Sequence, residues 1–275
     1  MNKNQEIYKP NKRENAKITR LCIAAHQDDV ELLAYSPILD CYNNPDQAFV
    51  AVVTADGAGS ARTGIYKDYT DEQMAQVRIK EQKQAADVGQ YLELHLLKYP
   101  SSKIKDPKDT DIVNDYIKIL KDTQPEIVYT HNLADKHPTH LGVVTKVIKA
   151  IRSLDKNIRP KTLYGVEVWR DLDWLDDKTK VLLGCDTHPN LERALLGVFD
   201  SQIAGGKRYD LAAEGRRLAN ATFFESHSVD QYTKLNYAVD LTPLIKDDNL
   251  DITDYILSFI DQFKNNVKSA LKNVL

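Results

Sequence analysis

Cysteine is scarce: Cys22, Cys41 and Cys185 lie far apart in 275 residues, with no paired spacing. An odd, sparse set excludes a disulfide framework and fits a reducing compartment. Long apolar runs are also missing, since no window nears the roughly 18 residues of a membrane span. The first 20 residues, "MNKNQEIYKPNKRENAKITR", are basic and polar without an apolar core. No signal peptide is expected there, and the chain reads as cytoplasmic. A formal net charge of only −3 gives no electrostatic reason to expect nucleic acid or an anionic membrane as partner. Glycine is too thinly spread for a nucleotide cradle. No GxGxxG follows the first strand-like run, and "GGKR" (205–208) lacks both the leading glycine and the Ser/Thr of a P-loop. Repeats, low-complexity tracts and linkers are absent too.

What is present alternates. Short apolar, β-branched runs at 18–25, 48–54, 92–97, 125–131 and 162–169 predict buried strands. Between them, helical spacing runs over 29–39, 70–88, 111–122 and 139–154, with Thr70 and Gln73 forming a capping box for the second. Such alternation predicts an α/β fold, a mostly parallel Rossmann-like sheet with helices on both faces. After Trp169 the pattern loosens into a C-terminal elaboration (171–275). A short strand is expected at 181–186, an edge strand over 235–244, and helices at 191–200, 209–224 and 253–274. A single domain spanning 1–275, with its catalytic core at about 18–170, is the economical reading.

Two polar clusters stand at strand ends. "LCIAAHQDDVELLAY" (21–35) closes an apolar run with His26, Asp28 and Asp29, and "THNLADKHPTHLGV" follows the fourth strand with His131, His137 and His140. One His–Asp pair at a strand end is ordinarily a cap or a surface ion pair. Two such clusters on one rim, where open α/β sheets bind ligands, are hard to ascribe to capping. Two imidazoles and one carboxylate with an open position form the usual ligand set of catalytic zinc, and His26, Asp29 and His140 would supply it. Asp28 is then left beside the cation as a candidate general base. His137 and His140, at i and i+3, could both face the same point.

These stretches carry a resemblance. "AAHQDDVEL" resembles the AHPDDE signature of the LmbE-like family, also called PIG-L (N-acetylglucosaminyl-phosphatidylinositol de-N-acetylase). "HNLADKHPTHLGV" resembles its second motif, H-P-D-H preceded by an aspartate. The likeness covers roughly 18–150. It implies the family's Rossmann-like fold and a metal-dependent, usually zinc, enzyme that removes acetyl groups from N-acetylglucosamine conjugates. His26, Asp29 and His140 match its metal ligands, Asp28 its general base. His137 matches a histidine that stabilises the oxyanion or protonates the leaving amine. Gln27 replaces the usual proline, a change expected to affect only loop stiffness. Thr139 stands where an aspartate commonly pairs with the active-site histidine, and Asp135 is the candidate to take over that pairing.

Weaker signals complete the reading. Arg62, in the glycine-bearing loop 55–69, and Arg170, after the fifth strand, are candidate substrate contacts together with Asp135. Arg78 and Glu81 read as a structural i,i+3 pair, and Trp169 as core before it reads as a sugar wall. The expected function is a zinc-dependent N-deacetylase of an amino-sugar conjugate, a small-molecule partner, in a chain that could form a homo-oligomer. The rivals are an iron(II) facial-triad oxygenase and an inactive metal- or sugar-binding relative.

Overall fold

The computed structural model describes residues 5–10 and 16–275, so the expectation of no targeting segment in residues 1–20 lies partly outside the described residues. Among the described residues eight strands form one sheet: β1 (Glu6–Tyr8), β2 (Lys17–Ala24), β3 (Gln47–Ala55), β4 (Glu93–Tyr99), β5 (Ile127–His131), β6 (Thr162–Val166), β7 (Lys180–Gly184) and β8 (Leu235–Asp240). Their order is β1-β4-β3-β2-β5-β6-β8-β7. The five from β4 to β6 run parallel, while β1, β8 and β7 pair antiparallel at the two flanks.

The parallel strands are buried on both faces, which is why they read as apolar runs rather than as alternation. One core cluster, around Leu21, Ile23 and Val128, packs under helices Asp111–Thr123 and Pro138–Arg152. The opposite cluster, around Cys22, Ala24 and Val53, packs under helix Asp71–Val88. All three cysteines are buried and no disulfide joins them. Among the described residues no helix is long and apolar enough to cross a membrane.

Two expectations are corrected. The helix expected at 29–39 is two pieces, Asp29–Leu33 and Tyr35–Cys41, broken at Ala34. Pro37 explains the break: it has no N–H for the carbonyl of Leu33, and its ring crowds that carbonyl. Strand β8, expected at an edge, lies between β6 and β7, and β7 is the edge. The alternation of polar and apolar residues marks which face of a strand is buried, not how many neighbours the strand has.

Position follows from the sheet order. After β2 the chain adds strands on one side (β3, β4), then crosses to the other (β5, β6). The carboxyl ends of β2 and β5 therefore flank the switch point, where open α/β sheets leave a crevice. Both polar clusters begin there.

Candidate metal centre

The turn after β2 is tight. Asp28 takes a left-handed backbone (φ 84°), a conformation Asp tolerates better than most residues, and so starts helix Asp29–Leu33. The turn folds the Asp29 carboxylate back onto its own strand end. Its Oδ2 accepts the His26 backbone N–H at 2.7 Å and lies 3.0 Å from His26 Nδ1.

From the β5 side, helix Pro138–Arg152 starts at His137 with Pro138 at its first position, and one turn in it presents His140. His140 Nε2 lies 3.2 Å from both His26 Nδ1 and Asp29 Oδ2. The three donors thus form a triangle of edges 3.0, 3.2 and 3.2 Å. Ligands about 2.0–2.1 Å from a tetrahedral ion lie about 3.3 Å apart, so this donor set fits zinc or a cation of similar size. Asp135 Oδ2 lies 3.2 Å from His140 Nδ1 and fixes which ring nitrogen turns to the triangle.

Two further imidazoles stand close. His131, fully buried, stacks on His140 with ring centroids 3.8 Å apart, but its Nε2 already accepts the Ala25 N–H at 2.9 Å. Its place is support beneath His140. The His137 ring lies 4.9 Å from that of His26 and 4.7 Å from that of His140, and its Nδ1 is buried without a partner.

The charge states follow from these contacts. Burial alone would depress His140, but the carboxylates of Asp29 and Asp135 hold it up at about 9. Burial would raise Asp29, yet His140 and His26 keep it well below the usual range. Asp28 goes the other way: burial lifts it to about 6, against the pull of Arg78 and with help from the Asp29 charge. His137 falls to about 4 through burial and the neighbouring His140 and His26 charges.

Helix Asp71–Val88 grips the turn from behind. Arg78 donates to the Gln27 carbonyl and lies 3.3 Å from Asp28 Oδ2, while Gln82 accepts the Asp28 N–H at 3.1 Å and donates to Glu31 at 2.8 Å. The i,i+3 pair of Arg78 with Glu81 read from the sequence is present at 3.9 Å, with Ser201 also engaging Glu81, but that reading did not include the contact of Arg78 with the turn. Only a contact spanning about fifty residues reveals the role of Arg78, and local spacing carries no sign of it. Gln27 is likewise more than a stiffness change: it is fully buried and donates to the Ala55 carbonyl at 3.1 Å. Gly57 is needed against it. A Cβ there would sit 2.7 Å from Gln27 Oε1, and its φ is +80°.

Above the triangle opens a cavity of about 650 Å³. His26, Asp28, Asp29 and His137 lie on its lining, and Trp169, Lys207, Tyr209 and Arg216 form a wall. The elaboration thus supplies much of that wall, which the sequence did not foretell. Trp169 stands 6.2 Å from the His137 ring, nearly parallel, with the Lys136 and Lys207 ammonium groups 5.5 and 5.4 Å from its centroid. Lys105, Lys207 and Arg216 line the cavity without an ion pair among the described residues, Arg216 donating only to the Val168 carbonyl.

Three expected contacts lie elsewhere. Asp135 is buried behind His140, off the lining, and its Oδ1 accepts the His137 backbone N–H rather than pairing with that ring. Arg62 is turned to the Ala58 carbonyl and Asp71. Arg170 is exposed and off the lining.

Residues 21–151 match the model of the PIG-L family, described as GlcNAc-PI de-N-acetylase. The match covers 131 of the 275 residues, just under half of the chain. No curated protein sequence matches the chain. Among solved structures, the chain is similar to N,N'-diacetylchitobiose deacetylase from Pyrococcus horikoshii. The TM-score is 0.66 at 14% identity, over 86% of this chain and 88% of that one. The 4-carboxy-2-hydroxymuconate hydratase of Pseudomonas putida KT2440 gives 0.63 at 17% identity, over 82% and 96%. A zinc-inhibited form of teicoplanin deacetylase gives 0.58 at 12%, over 80% and 97%. At these identities the likeness is one of fold.

Proposed function

We propose that the protein is a metal-dependent hydrolase, zinc being the first candidate, that removes the acetyl group from an N-acetylglucosamine-type amino sugar or its conjugate. The donor triangle His26–Asp29–His140, with Asp28 beside it at the floor of a sugar-sized cavity, is the observation that carries the reading. The PIG-L match and the two deacetylases of the same fold support it. Strands β7 and β8 extend the same sheet, which supports reading core and elaboration as one domain.

His26, Asp29 and His140 would hold the cation. When bound, a divalent ion acidifies water and polarises a carbonyl oxygen. Asp28 then accepts the proton of the attacking water on its carboxylate, and the buried carboxylic acid so formed is strong enough to return that proton to the departing amine. His137, neutral at pH 7, has one N–H to offer an oxyanion and no second proton to give the amine. The charge states therefore favour oxyanion stabilisation over amine protonation for His137. Trp169 offers an aromatic face for the sugar ring.

The hydratase neighbour carries the same fold, so hydration of an unsaturated carboxylate is the second reading, favoured by the unpaired Lys105, Lys207 and Arg216. One experiment decides. Protein stripped of metal and reloaded with one equivalent of zinc, iron(II) or cobalt is assayed for acetate and free amine on a panel of N-acetylglucosamine conjugates. Zinc is titrated, because a deacetylase of this fold exists in a zinc-inhibited form. Metal-dependent acetate release supports the proposal. No acetate from any conjugate, with loss of absorbance from 4-carboxy-2-hydroxymuconate, would replace it with the second reading.

A further inference from the structure

The last helix, Ile252–Lys272, carries Ile256, Ile260, Phe263, Val267 and Ala270, and the series continues to Val274 just beyond it. The intervals of four, three, four, three and four are the a/d spacing of a coiled-coil seam. The helix begins on the body of the protein. Ile252, Tyr255 and Phe259 pack against the larger core cluster, and the Tyr255 hydroxyl donates to the Asp240 carbonyl at 2.6 Å. Further along, Asn266 reaches Asp176 at 3.0 Å. At about 100° per residue these contacts share one side, and the stripe Ile260, Phe263, Val267 and Leu271 is centred about a quarter turn away. Those four are 40, 44, 44 and 52% exposed, so the seam is open rather than used within the chain.

Charge on this helix is divided lengthwise. Asp254 and Asp261 lie in the first half, while Lys264, Lys268 and Lys272 lie in the second. Parallel pairing of two such helices would set lysines beside lysines. Antiparallel pairing sets each acidic half beside a basic half.

We propose that this stripe is the contact between two copies of the chain, paired antiparallel about a two-fold axis level with Asn265. In that register Ile260 stands level with the partner's Ala270 and Phe263 with the partner's Val267, the a-to-d' match an antiparallel seam requires. The open seam is only about three turns long, so the interface falls at the small end of specific contacts and the dimer dissociates in the micromolar range.

The test is sedimentation equilibrium of the full chain from about 1 to 200 µM. A monomer–dimer equilibrium is expected. Phe263→Asp with Val267→Asp should leave a monomer at every concentration, with thermal unfolding and metal content unchanged, since both side chains are exposed. Reversing the three lysines to glutamate should weaken the dimer about tenfold or more, and adding Asp254→Lys with Asp261→Lys should restore it. A wild type that stays monomeric throughout overturns the proposal, as does a dimer untouched by the Phe263/Val267 pair. Charge reversal without effect overturns the antiparallel register. Wild-type monomer that sediments with phosphatidylserine-containing vesicles, and ceases to after Phe263→Asp, would assign the stripe to a membrane surface instead.

Discussion

Asp28 and Asp29 are neighbours in sequence whose pKa values move in opposite directions: burial holds one up near 6 while two imidazoles hold the other well below the usual range. Substituting them should therefore have different effects. Asp28→Asn should keep its metal while turnover falls by about 10²–10⁴, the usual worth of general-base help. Asp29→Asn should lose metal first. Elemental analysis of both, beside acetate release, reads the split, and the reverse pattern would exchange their roles. The base works only when ionised, so activity should rise with pH through the Asp28 titration, at or below about 6 once a cation lowers it. Arg78 stabilises the ionised form, so Arg78→Met should move that limb to higher pH, a shift that loss of packing alone would not produce. His140→Ala should strip most bound metal with the fold intact, whereas Asp135→Asn, acting through the His140 ring, should weaken metal about 10–100-fold. His137→Ala should keep metal and lose about 10²–10³ in rate. The candidate ligands and Asp28 could be picked out from sequence because they lie in the two polar segments that directly follow β2 and β5. Arg78 and Gln82 were not, because their partners lie some fifty residues away.

Helix Asp71–Val88 carries that second kind of information. Its start was readable: the Thr70 hydroxyl accepts the Gln73 N–H at 3.2 Å, and the Gln73 side chain accepts the Thr70 N–H at 2.8 Å, as the capping box predicts. Thr70→Ala should cost about 1 kcal/mol of stability, measured as a lower urea midpoint with unchanged slope. A drop in metal affinity of the same variant would mean the cap also sets where Arg78 and Gln82 meet the turn. Other elements show what a local pattern omits. Pro37 stands inside the stretch with helical spacing, and periodicity, which counts only apolar positions, does not register the break it makes at Ala34. β1 is three residues in a polar segment, too short for any period to show, and it exists because β4 offers it an edge.

Over the whole molecule, the floor of the cavity comes from the first 150 residues and much of the wall from residues 167–217, so the segment that matches the family encloses the cavity only together with the elaboration. That division was not readable, since Tyr209 and Arg216 belong to a stretch that reads as ordinary helix and Lys207 to a "GGKR" segment that matches no phosphate loop. Lys207 and Arg216, without an ion pair among the described residues, put a positive field on this wall, opposite the Asp28, Asp29 and Asp56 carboxyls of the floor. Such a field reaches about 10 Å at 0.1 M ionic strength and about 3 Å at 1 M. It acts on whatever anion comes close, and deacetylation itself makes one: acetate. Added potassium chloride should therefore have two contrary effects. Turnover of a neutral conjugate should hold or rise as acetate is released sooner, while kcat/KM for a conjugate bearing a carboxylate or phosphate should fall as its attraction is screened. Lys207→Gln should flatten both trends, and parallel salt curves for the two substrates in the wild type would mean the wall exerts no such selection.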